Sequence, residues 1–383
     1  MKKEVIIWSE GTRMAADLFI PDDLRDGEKR PAILLCHGWA GPKSHLSSTY
    51  APYFCKGGFV CLTFDYRGWF ESDARIATPD KQPPPDAEGF ITVRGTPVRE
   101  VVDPLDQNRD INNALDYLIG EPAVDANRIG LWGSSFGGGH VLYVAGHDPR
   151  IKAVVSQVPG MGPAPDQNGF AAPSAVVQKF ASAMARGEIN SLPRPAEQPE
   201  SLKGIGDFRT MWRYRPRAAA AHIRVPTLII DQEQEEYGGR ENSGLAAKNA
   251  IPPTTIVKYH VFPGTHYDNL PEKLPGEREV GARLVHRTSY ASTLGSTCHA
   301  NDCSNRFFPG CCDVDNDARR VARAGRRFAV VGRIPDSRSR RGTEARDDYW
   351  RRQCRSVRAL CSGRGEICGR ARVQDARFTR AAR

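Results

Sequence analysis

Long apolar runs are missing from this chain of 383 residues. None approaches the roughly 20 residues of a membrane-crossing helix, which excludes an integral membrane reading. No apolar stretch of signal-peptide length follows the start, because Ser9, Glu10 and Arg13 interrupt MKKEVIIWSEGTRMAADLFI. The expectation is a soluble, cytoplasmic protein. Lysine is lacking altogether over residues 276–383, which hold 24 arginines against 12 acidic residues, a net charge of +12. Residues 1–275 carry a net charge of −3, so the overall +9 belongs to the end of the chain. Cysteine divides at the same place. Cys36, Cys55 and Cys61 lie early and seven others lie between Cys298 and Cys368. Those seven lack a zinc-module spacing, and a cytoplasmic chain does not suit disulfides. Two compositions therefore meet near residue 280, giving a domain over 1–279 and an Arg/Cys-rich tail over 280–383.

What the first part does contain is strand–helix alternation. AILLCHG and FVCLTFDYRG are short apolar runs ending in turn residues, as buried parallel strands do. Residues 128–133, 151–157, 226–231 and 255–262 repeat the pattern. Residues 4–7 and 15–20 predict an antiparallel hairpin at the sheet edge. In DPLDQNRDINNALDYLIG, Ile111, Ala114, Leu115 and Leu118 fall on one helical face. Residues 137–145 predict a second helix. The fold class is α/β, a mostly parallel, doubly wound sheet covered on both faces. Residues 159–222 are too long for a plain connection and predict a small cap insertion near the strand ends. Met161, Phe170, Trp212 and Tyr214 are candidate pocket walls there, and equally candidate cap core.

GSSFG, residues 133–137, places Ser135 at the centre of G-x-S-x-G. A strand precedes it and a helix follows, the context in which a sharp turn lifts one hydroxyl out of the backbone. The competing reading is an ordinary glycine-rich turn. A serine nucleophile needs a base. His266, in VFPGTHYD, stands just after the last strand, with Gly264 and Thr265 making a turn. His260 lies inside that strand and reads as packed; His37, in CHGWAG, reads as shaping its loop. The base needs an acid. LIIDQEQEEYGG offers Asp231, Glu233, Glu235 and Glu236, several of them solvated loop charges. Asp231 ends its strand directly, and Glu235 lies further on, where it can turn back towards His266. The amides of Phe136 and Trp39 are the candidate oxyanion donors.

These pieces resemble the α/β-hydrolase superfamily, within it the dienelactone hydrolase, acetyl xylan esterase and Xaa-Pro peptidase-like branches. LLCHGWAG, FDYRGWFESD, VDANRIGLWGSSFGGG, PTLIIDQEQEE and FPGTHYD occur in the family's order. The resemblance implies Ser135 as nucleophile, His266 as base and Trp39 and Phe136 as oxyanion hole. It implies Glu235 as the acid, with Glu236 and Asp231 in reserve. It departs from the family's D-x-R-G-x-G-x-S at Phe70, where the second glycine is common, which is expected to reshape that loop. The implied activity is a serine esterase or lactonase of the carboxylic ester hydrolase class. The alternatives are an acyltransferase, a C–C bond hydrolase, a peptidase or a thioesterase with the same triad. No metal or organic cofactor is implied. The expected partner is a small-molecule ester or lactone, not a membrane, and homo-oligomerisation stays open.

The family closes its sheet with a helix after the histidine, whereas residues 277–314 show no 3.6-residue period; within them residues 279–289 read EVGARLVHRTS. Codons for this stretch exist whose frame, shifted by one base, reads Arg-Trp-Ala-Arg-Asp-Trp-Phe-Ile-Glu-His-Leu. The expectation is that residues from about 280 onward are a frameshift product without an evolved fold. A basic nucleic-acid-binding tail is the rival, weakened by its interspersed acids and apolar residues.

Overall fold

In the computed structural model the described residues are 1–162, 173–189 and 204–268, all within one compact unit. The tail over 280–383 and Phe170 lie outside them. Eight strands build the main sheet. They are β1 Lys2–Ser9, β2 Thr12–Phe19, β3 Arg30–Cys36, β4 Val60–Phe64, β5 Val124–Ser134, β6 Ile151–Gln157, β7 Thr227–Gln234 and β8 Val257–Thr265. Their spatial order is β1-β2-β4-β3-β5-β6-β7-β8. β1 and β2 form the expected antiparallel hairpin at one edge, and β2 meets β4 antiparallel. Every pairing from β4 to β8 is parallel.

The helices are α1 Lys43–Ser48, α2 Tyr50–Lys56, α3 Pro104–Gly120, α4 Phe136–Ala145, α5 Ala175–Ala185, α6 Phe208–Met211, α7 Pro216–Ala220 and α8 Gly244–Ala250. Two apolar clusters lie on opposite faces of the sheet. β3 shows why its run is continuously apolar: Ala32, Leu34 and Cys36 enter one cluster, Ile33 and Leu35 the other. Alternate side chains point to opposite faces, and both faces are covered. Ile111, Ala114, Leu115 and Leu118 of α3 are all fully buried in the first cluster, with Val141 and Leu142 of α4. Leu46 of α1 and Tyr50, Ala51 and Phe54 of α2 fill the second. α3 starts where Asp103 accepts hydrogen bonds from the Leu105 and Asp106 amides and Pro104 takes the first turn.

One expectation changes here. His260 is exposed rather than packed, and among the described residues β8 stands at the sheet edge, bonded to β7 alone. Of the candidate pocket walls, Tyr214 is 1% exposed, wedged against Phe136, His140 and Tyr143, and Met161 belongs to the apolar core. α7 packs on α4, with Gly146 against the Ala219 carbonyl, so residues 216–220 lie on the sheet's helical layer. Phe70 keeps a left-handed φ of +38°, the conformation a glycine adopts freely. Among the described residues no helix is long and apolar enough to cross a membrane.

Candidate active site

Four parallel strands deliver the site from their carboxyl ends. β3 ends at Cys36 and leads into His37, Gly38 and Trp39; β5 ends at Ser134, immediately before Ser135. β7 ends at Gln234, before Glu235, and β8 ends at Thr265, before His266.

Ser135 sits between strand and helix with φ +57° and ψ −123°, a conformation that non-glycine residues avoid. The turn holds because its neighbours let backbone pass close to backbone. A Cβ on Gly133 would fall 2.3 Å from the Gly137 carbonyl oxygen. One on Gly137 would fall 2.4 Å from the Cys36 carbonyl oxygen. The Ser135 amide donates to the Gln157 carbonyl at 2.9 Å, and the Ser135 carbonyl accepts from Gly160 at 2.8 Å. Those bonds pin the turn on β6.

Ser135 Oγ lies 2.9 Å from His266 Nε2, and His266 Nδ1 lies 2.7 Å from Glu235 Oε2. A carboxylate oxygen accepts, so Nδ1 carries the proton and Nε2 is left to accept from the serine hydroxyl. Glu235 and His266 are both buried, at 7% and 6% exposure. Burial keeps water from competing for this bond. The other Glu235 oxygen accepts from the Tyr237 amide at 2.9 Å.

The carboxylates that the sequence left open go to different places. Glu236 Oε2 accepts from the backbone amide of His266 at 2.8 Å. Asp231 is fully buried, accepts from the Tyr259 hydroxyl at 2.8 Å and packs under Gly244 at the start of α8. Burial pushes its carboxyl up to about 6. Glu233 is exposed. Of the four, only Glu235 touches the His266 ring.

The loop after β3 lies against the serine: a Cβ on Gly38 would stand 3.0 Å from Ser135 Cβ. The Trp39 and Phe136 rings meet edge to face with centroids 5.3 Å apart. Phe136 opens α4, where the first amides have no intrahelical acceptor and the helix dipole is positive. His37 is buried, with its Nδ1 2.9 Å from the Gly38 carbonyl, and burial pushes it down to about 4. It shapes the loop as a neutral ring. Behind it His140, fully buried, bonds Gln107 at 3.0 Å; burial and the nearby His37 push it down to about 3. Among the described residues no group of three or more His, Cys, Asp or Glu side chains is arranged to hold a metal ion.

The sequence reading did not foresee two contacts, Glu236 on the His266 amide and Tyr237 on Glu235. The first crosses from the end of β7 to the end of β8 and the second lies within the loop after β7, and nothing in EEYGG marks either off from solvated loop residues.

Residues 31–265 match the family described as the alpha/beta hydrolase fold. The chain belongs to that family. Among curated relatives it is 28% identical over 275 residues to an uncharacterized 31.7 kDa protein of the traX-finO intergenic region of Escherichia coli. That match covers 63% of this chain and 84% of the relative. A shorter match, 33% identical over 145 residues, is to the thiohydrolase apmlB of Arthrinium phaeospermum, covering 38% of this chain and 39% of that protein. Among solved structures, DcsB in complex with its substrate analogue aligns with a TM-score of 0.56 at 17% identity. It covers 76% of this chain and 99% of DcsB, a likeness of fold.

Proposed function

We propose that this hydrolase cleaves a carboxylic ester or lactone through an acyl-enzyme on Ser135. The observation that carries the reading is the unbroken line from Ser135 Oγ to His266 Nε2 at 2.9 Å and from His266 Nδ1 to Glu235 at 2.7 Å. Ser135 Oγ attacks the substrate carbonyl while His266 Nε2 takes its proton. Glu235 holds the resulting imidazolium in place. The Trp39 and Phe136 amides stabilise the oxyanion as its charge develops. His266 then gives the proton to the leaving alkoxide. A water, deprotonated by His266, attacks the acyl-enzyme and frees Ser135.

The test is release of p-nitrophenolate from p-nitrophenyl acetate. Ser135→Ala is expected to abolish it, and a retained rate in that variant refutes the nucleophile. A thioester as acyl donor is the second reading, favoured by the match to a protein named thiohydrolase. Hydrolysis of a thioester with a higher kcat/KM than its matched oxygen ester supports it.

A further inference from the structure

We propose that Glu236 is a positioning residue for His266, acting on the base through its main chain. The proposal rests on the triad reading above. Consecutive residues after β7 grip consecutive residues after β8. Glu235 bonds the His266 ring, Glu236 bonds the His266 amide, and the Tyr237 hydroxyl donates to the Tyr267 hydroxyl at 2.9 Å. The rings of Tyr237 and Tyr267 flank the imidazole edge to face, at 4.7 and 5.2 Å. Burial and the bond to Tyr267 push the Tyr237 phenol up, keeping it a neutral donor.

His266 needs such holding because regular pairing fails just before it. The β7–β8 register shifts between Gln232 and Gln234, and Gly264 turns with φ +120°. Beyond the shift only Gln234 opposite Thr265 continues the pairing. Asp268 bonds the Thr265 amide and hydroxyl at 2.8 Å each, which secures the turn. The Glu236 carboxylate satisfies the His266 amide with a charge-assisted bond. It thereby fixes the point from which the imidazole swings between Glu235 and Ser135.

The experiment compares Glu236→Ala, Glu236→Asp and Glu236→Gln with wild type on p-nitrophenyl acetate, alongside thermal midpoints. Loss of the anchor displaces Nε2 from Ser135 Oγ, so kcat is expected to fall on the order of 10- to 100-fold in Glu236→Ala. KM should stay near wild type, since the anchor acts on the base through its main chain. Glu236→Asp should behave as Glu236→Ala, its carboxylate being too short to reach. Glu236→Gln, whose amide oxygen still accepts, should recover kcat to within about threefold. Wild-type kcat in Glu236→Ala overturns the proposal. So does an equal loss of kcat and thermal midpoint in Ala and Gln variants alike, which is the pattern of a merely structural role. A retained rate in Ser135→Ala instead overturns the triad itself, and the positioning role with it.

Discussion

Asp231→Asn separates the acid that the sequence kept in reserve from the one that meets the histidine. Asp231 is fully buried, with the Tyr259 hydroxyl on Oδ2 and the Gln232 amide on Oδ1. Burial, and to a smaller degree the nearby Glu235 charge, raise its carboxyl from 3.8 to about 6. The sign follows from linkage. The folded state binds this proton more tightly than the unfolded one, so folding is favoured most below pH 3.8. Stability falls as pH rises through about 4 to 6, and the cost stays constant above that. A shift of about two units corresponds to roughly 3 kcal/mol above pH 6. Asparagine removes that cost and its carbonyl still accepts from Tyr259. Its amide nitrogen cannot accept from the Gln232 amide, and that lost bond costs about 1 kcal/mol. The net expectation at pH 8 is a gain of about 2 kcal/mol, a rise in Tm of roughly 4–8 °C. At pH 3.5 the order reverses, because only the lost bond remains. Urea unfolding at both pH values, followed by tryptophan fluorescence, reads the crossing. Ester hydrolysis should stay near wild type. A variant less stable at pH 8, or one that loses activity by roughly 10²-fold or more while folded, refutes the argument.

Two further outcomes are expected. Phe70→Gly should leave stability within about 1 kcal/mol of wild type, because relief of the strain at φ +38°, about 1–2 kcal/mol, is offset by loss of a ring that is more than half covered and packs beside Trp69; a loss above about 3 kcal/mol by urea unfolding would count against the strain. For the tail, the nucleotide sequence over codons 279–289, read one base out of frame, should encode the tryptophan- and phenylalanine-bearing helix described above, and a codon choice that encodes no such helix ends the frameshift proposal.

How much the sequence discloses varies with the range of the constraint. Ser135 stands out because its strained turn leaves a local imprint. Gly133 and Gly137 are glycines since any Cβ would collide with backbone 2.3–2.4 Å away. The parallel strands stand out for a similar reason, both faces of β3 being buried. His260 misleads because edge position is a property of the whole sheet, and a strand's own residues do not state which neighbour it has. Tyr214 stays open in the sequence for a related reason. Its ring fills space behind His140 and Phe136, and no local pattern distinguishes a pocket wall from the core beneath it.

The acid is the hardest case, and its physics explains why. Asp231, Glu235 and Glu236 lie within six positions of one another, and spacing along the chain does not say which of them meets the histidine. What separates them is direction. Asp231 still belongs to β7 and points into the layer under α8, where Gly244 leaves room for it. Glu235 is the first residue past the strand and is free to turn. Its second oxygen is held by the Tyr237 amide two residues on, which fixes the carboxylate while the first oxygen faces His266. Glu236, the next residue, meets the histidine at its backbone amide instead of its ring. A carboxylate becomes the histidine's partner here through a turn that aims it and an amide that locks it. Neither is written in the identity of the acid.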